Sequence, residues 1–351
     1  MVKKMKKKVI DAVHACVNTQ EPLTVTIQPY EIKKHQDVNQ HHVLIMLKPE
    51  LTNINQGVQL DRILDELLNR LANDDVEIGA VRVLSSLYLK EEKILENQYG
   101  MLNRISRNGL SELSEAAKKV LSTKYPEYRT KEHLIYGGHQ FLQKYQELTP
   151  YGLELLTRNV KVDKLGAGTY AIEAEVDGEK MLLLNSFHPC QIDWFTAPRR
   201  SVIVIECFTQ KPMRVMREHF IGATDPHEAR EGSFKHMLLT EQKRFGITNV
   251  CTRFNGIHLS PGPIEAMAGM IRYFSTSGKR LSPSHTLFGQ LLRENGFSAE
   301  ELDLLCEDVS ISSSGTRETP VFELTENLNW DEALALLLKV KNDIQKHERV
   351  L

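Results

Sequence analysis

The chain has 351 residues, 41% hydrophobic and 26% charged, so it is long enough for two ordinary domains, or for one carrying a large insertion, and can bury a sizeable core. Its 44 basic side chains balance 46 acidic ones, and a net charge near −2 gives no reason to expect nucleic acid or an anionic membrane as partner. Five scattered cysteines (Cys16, Cys190, Cys207, Cys251, Cys306) without a Cys-x-x-Cys pair argue against a disulfide framework or a structural zinc site and fit a cytoplasmic setting.

No apolar run approaches the ~20 residues of a membrane-spanning helix. Residues 1–41 read as an appendage: an amphipathic helix led by a solvated lysine run, then a strand over 23–27 broken by Pro29. His41-His42 reads as a strand-edge pair. The continuous apolar run 43–47 predicts a strand buried on both faces, ended by Lys48-Pro49 because proline cannot supply a ladder hydrogen bond. Leu60, Ile63, Leu64, Leu67, Leu68 and Leu71 recur at helical spacing. A second strand is expected over 76–84 and a second helix over 90–99.

Residues 101–199 break this rhythm and read as an inserted subdomain. Helical stretches over 111–122, 131–145 and 151–157 precede alternating residues 169–176, an Asp177-Gly178 turn and an apolar run 181–184, which together predict a β-hairpin. Gly166-Ala-Gly168 reads as the entry to that hairpin rather than a kinase phosphate loop, because no Val-Ala-x-Lys, His-Arg-Asp or Asp-Phe-Gly segment follows it. His188-Pro-Cys190 lacks a second ligand pair, and Trp194-Phe195 beside Arg199-Arg200 reads as an anchor for the insertion.

Strand patterning returns over 201–208, followed by a helix over 212–220, a turn-rich loop 222–232, a helix 234–242, a strand 248–254 and a helix 263–274. Helical patterns over 285–295, 298–307 and 330–347, with a Ser/Thr-rich loop 310–329, make a C-terminal extension over 277–351. The core over 42–100 and 200–276 is thus strand–helix–strand, insertion, strand–helix–strand–helix. That order predicts a ferredoxin-like α/β sandwich with an antiparallel sheet, helices on one face and the other face open to a partner or ligand.

Three places could carry chemistry. Asn255-Gly-Ile-His258-Leu-Ser260 closes a predicted strand just before a helix, where backbone N–H groups attract anions. A histidine there can attack phosphorus if a backbone carbonyl fixes its other ring nitrogen, although a lone loop histidine is more often a surface or capping residue. Thr224 and Lys235 flank a turn-rich loop that suits polyphosphate contacts, or is simply an Asp-Pro turn. Lys48, at the end of the first core strand, could reach a phosphate or merely punctuate the strand.

In this order, Leu44-Ile-Met-Leu-Lys48-Pro-Glu, Val202-Ile-Val-Ile-Glu206, Gly222-Ala-Thr-Asp-Pro226 and Asn255-Gly-Ile-His258-Leu-Ser260 resemble the signature segments of nucleoside diphosphate kinases, over about half of the chain. The resemblance implies a ferredoxin-like core and ping-pong transfer of the γ-phosphate from a nucleoside triphosphate, through a phosphohistidine, to a nucleoside diphosphate, with Mg²⁺ bridging phosphates. It makes His258 the nucleophile, Asn255 a ribose partner and Ser260 a support for the acid that orients the histidine. Lys48 and Thr224 would contact phosphates, and Tyr99 would stand near the phosphohistidine. The family's dimers and larger rings imply a homo-oligomer.

The match departs from the pattern at several positions. Glu218 stands where the loop arginine is expected, and Arg217, one residue away, could take its place only if the helix shifts. Lys235 replaces a second arginine, keeping charge but losing the bidentate fork. Leu259 and Pro261 replace a glycine and an aspartate. Gly269 or Met270 falls at the position of the helix glutamate, with Glu265 the nearest acid. Three functions are therefore in view: an atypical kinase of this type acting through His258, a weakly catalytic nucleotide-binding module on the same fold, and a histidine-dependent enzyme acting on another phosphorylated substrate.

Overall fold

The computed structural model describes residues 2–34, 40–276, 278–312 and 318–348. Contacts divide the chain into one unit made of residues up to Glu92 and from Ala197 onward, and a second, Lys93–Thr196. The second unit spans 93–196, where the sequence suggests an insertion over 101–199, and the C-terminal extension belongs to the first unit.

The sheet of the first unit contains β1 (Thr24–Gln28), β2 (His41–Leu47), β3 (Glu77–Ser85), β4 (Ser201–Thr209) and β5 (Ile257–Leu259). Their order is β1-β3-β4-β2-β5, and every neighbouring pair is antiparallel. Without β1, the four core strands stand second–third–first–fourth, the split-unit ferredoxin-like arrangement. β2 and β4 pair without interruption from His41↔Thr209 to Leu47↔Ile203, and every residue of both is buried.

Alternation along the strands sends two side-chain sets to opposite faces. Val43, Ile45 and Leu47 join one core with α1 (Val2–Asn18), α2 (Leu60–Asn73) and α3 (Phe234–Thr240). The leucines and isoleucine that mark α2 in the sequence are all buried. The opposite face is not open, as the sequence suggested. Leu44 packs against Gly269 of α4 (Pro263–Phe274). Phe208, Ile264 and Met267 share a second core with α5 (Leu287–Glu294), α6 (Ala299–Cys306) and α7 (Trp330–Glu348). The extension's own apolar stripes are what close that face.

Other boundaries move for local reasons. The strand expected over 248–254 is a bent loop with Asn249 in the left-handed region (φ 60°), and pairing with β2 begins only at Ile257. The 310–329 region, expected as loop, holds the antiparallel pair Ser310–Ser312 and Glu318–Pro320 and a short helix Val321–Leu324; residues 313–317 lie outside the described ones.

In the second unit a four-stranded sheet runs in the order Ile135–Gly137, Glu179–Leu184, Thr169–Val176, Asp163–Gly166, its first pair parallel and the rest antiparallel. Asp177 and Gly178 make the predicted hairpin turn, both with positive φ. Among the described residues, no helix is long and apolar enough to cross a membrane.

His41 and His42 are buried rather than open at a strand edge. His42 Nε2 lies 2.7 Å from Glu206 Oε1, and Ala80 N–H donates to Glu206 Oε2 at 2.6 Å, inside the bulge that separates Ile78 from Val81 in β3. Gly79 leaves room for that carboxylate, since a Cβ there would stand 2.3 Å from Oε2. Removing one partner of a buried pair strands the other. Glu206→Ala is therefore expected to cost about 3 kcal/mol, read as a lower urea midpoint for the first unit.

Candidate functional site

The site starts from the register of the edge strand. His258 of β5 lies opposite Met46 of β2, so their side chains share a face. Lys48 is two residues beyond Met46, its backbone still extended (φ −81°, ψ 168°), and its N–H donates to Gly256 O at 2.8 Å. The alternation therefore continues, and Lys48 becomes a diagonal neighbour of His258 on the same face.

His258 is oriented from α4. Pro263 opens that helix and Glu265 sits in its first turn, where a carboxylate is favoured by the helix dipole. Glu265 Oε1 lies 3.3 Å from His258 Nε2, and both side chains are mostly buried. A carboxylate beside Nε2 favours the tautomer with its proton there and leaves the lone pair on Nδ1, which has no partner among the described residues. The orienting group is thus a side-chain acid, not a backbone carbonyl. Gly269 carries no acid, and a Cβ there would press on Leu44 Cδ2 at 2.8 Å.

Ser260 plays a different part from the one the resemblance implies. Its Oγ accepts from Leu44 N–H at 3.0 Å and its N–H donates to Leu44 O at 2.9 Å, so it extends the pairing of the β5 segment with β2 and makes no hydrogen bond to Glu265. Asn255 is only 3% exposed and fully engaged. Its Oδ1 accepts from Lys48 Nζ at 2.7 Å, and its Nδ2 donates to Thr224 O and Thr252 O, each at 3.0 Å. It ties three segments together instead of offering its amide to a ribose. Thr224 gives this knot its carbonyl and keeps its own side chain exposed.

The helix carrying Arg217 shifts. Met213–Val215 is α-helical, but Met216–Ile221 widens into a π turn in which Gly222 N–H donates to Arg217 O at 2.9 Å. Such a turn holds one extra residue and recurs at functional sites. That residue is the one-position offset by which Arg217, rather than the exposed Glu218, brings its charge to bear on Lys235. The turn ends at Gly222 with φ 95°, where a Cβ would meet Ser233 Oγ at 2.4 Å. Arg217 and Glu218 line a surface cavity of about 380 Å³ with Gly222, Ala223, Glu228, Arg230 and Asn327.

Lys235, near the start of α3, is 7% exposed, and its ammonium has no hydrogen bond or ion pair among the described residues. Burial, and then the charges of Lys48 and Arg217, push its pKa from the usual 10.5 down to about 7. Lys48 is also pushed down by burial, partly offset by Glu50. Three cations are therefore gathered with less carboxylate than they need, which is a place for an anion to bind. Arg217 alone among them has an acid directly on it, Glu326.

Tyr99 belongs to the second unit, where its ring meets that of His188 edge-on at 6.3 Å. Two participants were given no role by the sequence. Glu50 accepts from Gly256 N–H at 2.9 Å, which holds the turn before His258. Glu326 arrives on Arg217 from more than a hundred residues away, and no spacing rule reaches that far.

No family model matches the chain, and no curated protein matches it. Among solved structures it is similar to an apo nucleoside diphosphate kinase from Encephalitozoon cuniculi, with 12% identity, 69% of this chain and 95% of that one covered, and a TM-score of 0.31. It is similar to a vanadate and ADP complex of the Borrelia burgdorferi enzyme (14% identity, 70% and 93% covered, TM-score 0.31). A third is an NDP kinase from Pyrobaculum aerophilum (16% identity, 69% and 100% covered, TM-score 0.30). These are likenesses of fold and say nothing of this chain's chemistry.

A buried, unpaired lysine costs stability, so Lys235→Met is expected to raise the melting temperature of the ligand-free protein by roughly 2 °C or more while weakening anion binding. The sign follows from its lowered pKa. Below about pH 7 both folded and unfolded states hold the proton and the penalty is complete; between about 7 and 10.5 the unfolded state binds more protons, and the penalty fades as pH rises. Thermal unfolding of both proteins across pH 6–10 checks it. The variant's advantage should be largest at the acid end.

Proposed function

We propose that the first unit is a phosphotransferase site on a nucleoside diphosphate kinase-like fold, with His258 as the residue that takes the phosphoryl group. The observation that carries this reading is the pairing of Glu265 with Nε2 of His258, which turns Nδ1 into a lone-pair donor on the same sheet face as Lys48. Lys48 and Arg217 both bring their charge to bear on Lys235.

In this reading the Nδ1 lone pair forms an N–P bond to the γ-phosphorus of a nucleoside triphosphate. The bond from that phosphorus to the β,γ-bridging oxygen breaks, and the diphosphate leaves with the electron pair. A second nucleoside diphosphate then takes the group back by the reverse displacement. Glu265 stabilises the positive charge that the ring acquires on phosphorylation. Lys48, Lys235 and Arg217 meet the charge spread over the phosphate oxygens, and Thr224, exposed beside the knot, would add a hydroxyl contact. Asn255 acts as a positioning residue for Lys48. Mg²⁺ bound with the nucleotide would supply further neutralisation of phosphate charge. In the ligand-free protein Glu50 and Glu326 are engaged by Gly256 N–H and Arg217.

The second reading, a nucleotide-binding module with little turnover, draws on Asn255. Its amide is spent inside the protein, leaving the ribose without the partner the resemblance assigns.

Incubation with γ-labelled ATP and Mg²⁺ separates the two. Acid-labile label is expected on the wild type, removed by adding a nucleoside diphosphate, and absent from His258→Asn. Glu265→Gln should label about a hundredfold more slowly. Label that survives acid, or that persists in His258→Asn, rules the mechanism out, and nucleotide binding without label leaves the module reading standing.

A further inference from the structure

Residues 325–329 of the C-terminal extension run across two segments of the site. Thr325, fully buried, presses its carbonyl on Gly262, where a Cβ would stand 2.4 Å from the oxygen. Asn327, in the left-handed region at φ 64°, donates its N–H to Pro261 O at 2.8 Å, three residues past His258. Asn329 Oδ1 accepts from Met213 N–H at 3.0 Å, at the start of the helix that widens around Arg217. Trp330, 1% exposed in the second core, anchors the following helix. The segment is thus held to the loop behind His258 and to the helix bearing Arg217, and Glu326 lies between these attachments with its carboxylate on the Arg217 guanidinium.

We propose that Glu326 is a built-in competitor for Arg217, an internal carboxylate standing where an incoming phosphate oxygen binds, and that it sets the affinity of the site for polyphosphate. This rests on the reading of the Lys48, Lys235 and Arg217 group as a phosphoryl site. The physical case is one of charge and exposure. Lys235 is left unpaired, while Arg217, about a quarter exposed, is capped by an acid that the fold brings in from the extension. The pair is partly open, with 26% and 40% of the two side chains exposed, so water and salt weaken it and a polyvalent anion can displace it. A tripolyphosphate, with its several negative charges, gains from all three cations at once, whereas Glu326 holds only one. Displacement frees the carboxylate to the adjoining cavity, lined by Arg217, Arg230 and Asn327.

The test is calorimetric titration of the full chain with inorganic tripolyphosphate, for wild type, Glu326→Gln, Arg217→Gln and the double variant. Glu326→Gln should bind about threefold more tightly than wild type, the scale of a part-exposed ion pair. In the Arg217→Gln background the same substitution should change nothing, because the contested group is gone. Tighter binding by Glu326→Gln together with a null effect in that background supports the competitor. Unchanged or weaker binding by Glu326→Gln, or an effect that persists without Arg217, overturns it and leaves the phosphoryl site intact. If no protein in the set binds tripolyphosphate, the phosphoryl site itself fails, and this inference with it.

Discussion

Burial of Lys235 without a carboxylate, with the charges of Lys48 and Arg217 acting on it, is the constraint around which the site is arranged. Folding gathers these cations and takes Lys235 out of water without a carboxylate to offset it. A chain optimised for stability alone would place an apolar side chain at 235 or an acid next to it. Most local irregularities nearby are means of holding the cations in place. The π turn sets Arg217 in register, Gly222 lets the loop close against Ser233, and Asn255 grips Lys48 by its ammonium. A bound polyanion would repay the cost, which is how binding free energy and folding free energy trade at such a site.

The strain is tolerable because it sits beside a well-packed sheet. β2 and β4 are buried along their whole length, with one core on each side of them. β5 is different: three residues long, at the sheet edge, fastened by pairing with Ile45, Met46 and Leu47 and by the reciprocal bonds between Ser260 and Leu44. His258 therefore stands on rigid backbone but at the rim, where a ligand can reach it. Glu265 comes from the first turn of a helix whose other residues are mostly buried under the same sheet, so histidine and acid are fixed by a single packing surface.

What could be read from the sequence follows the range of the interactions involved. Apolar runs and helical periodicity are local, and they located β2, β4, α2 and the Asp177-Gly178 hairpin. β5 was displaced because a three-residue strand has no periodicity of its own; its place is fixed by what β2 offers it. Glu265 was visible only as the nearest acid, while position 269 is a glycine set against Leu44. The π turn leaves no composition signal, so the sequence could offer Arg217 in place of Glu218 only on the condition that the helix shifts. The covered second face was missed because the extension's stripes show that helices need partners, but not which surface supplies them. Glu326 and Glu50 act across chain separations at which sequence pattern is silent.

The central claim is that Glu265 holds Nε2 of His258 so that Nδ1 is the nucleophile. Long-range proton–nitrogen correlation on histidine-labelled protein, with phosphorus coupling recorded after reaction with Mg²⁺-ATP, tests it most directly. The account predicts a proton on Nε2, the nitrogen facing Glu265, in the ligand-free protein and, after reaction, phosphorus coupled to Nδ1. Coupling to Nε2, or a His258 ring left unphosphorylated while ATP is bound, would contradict it.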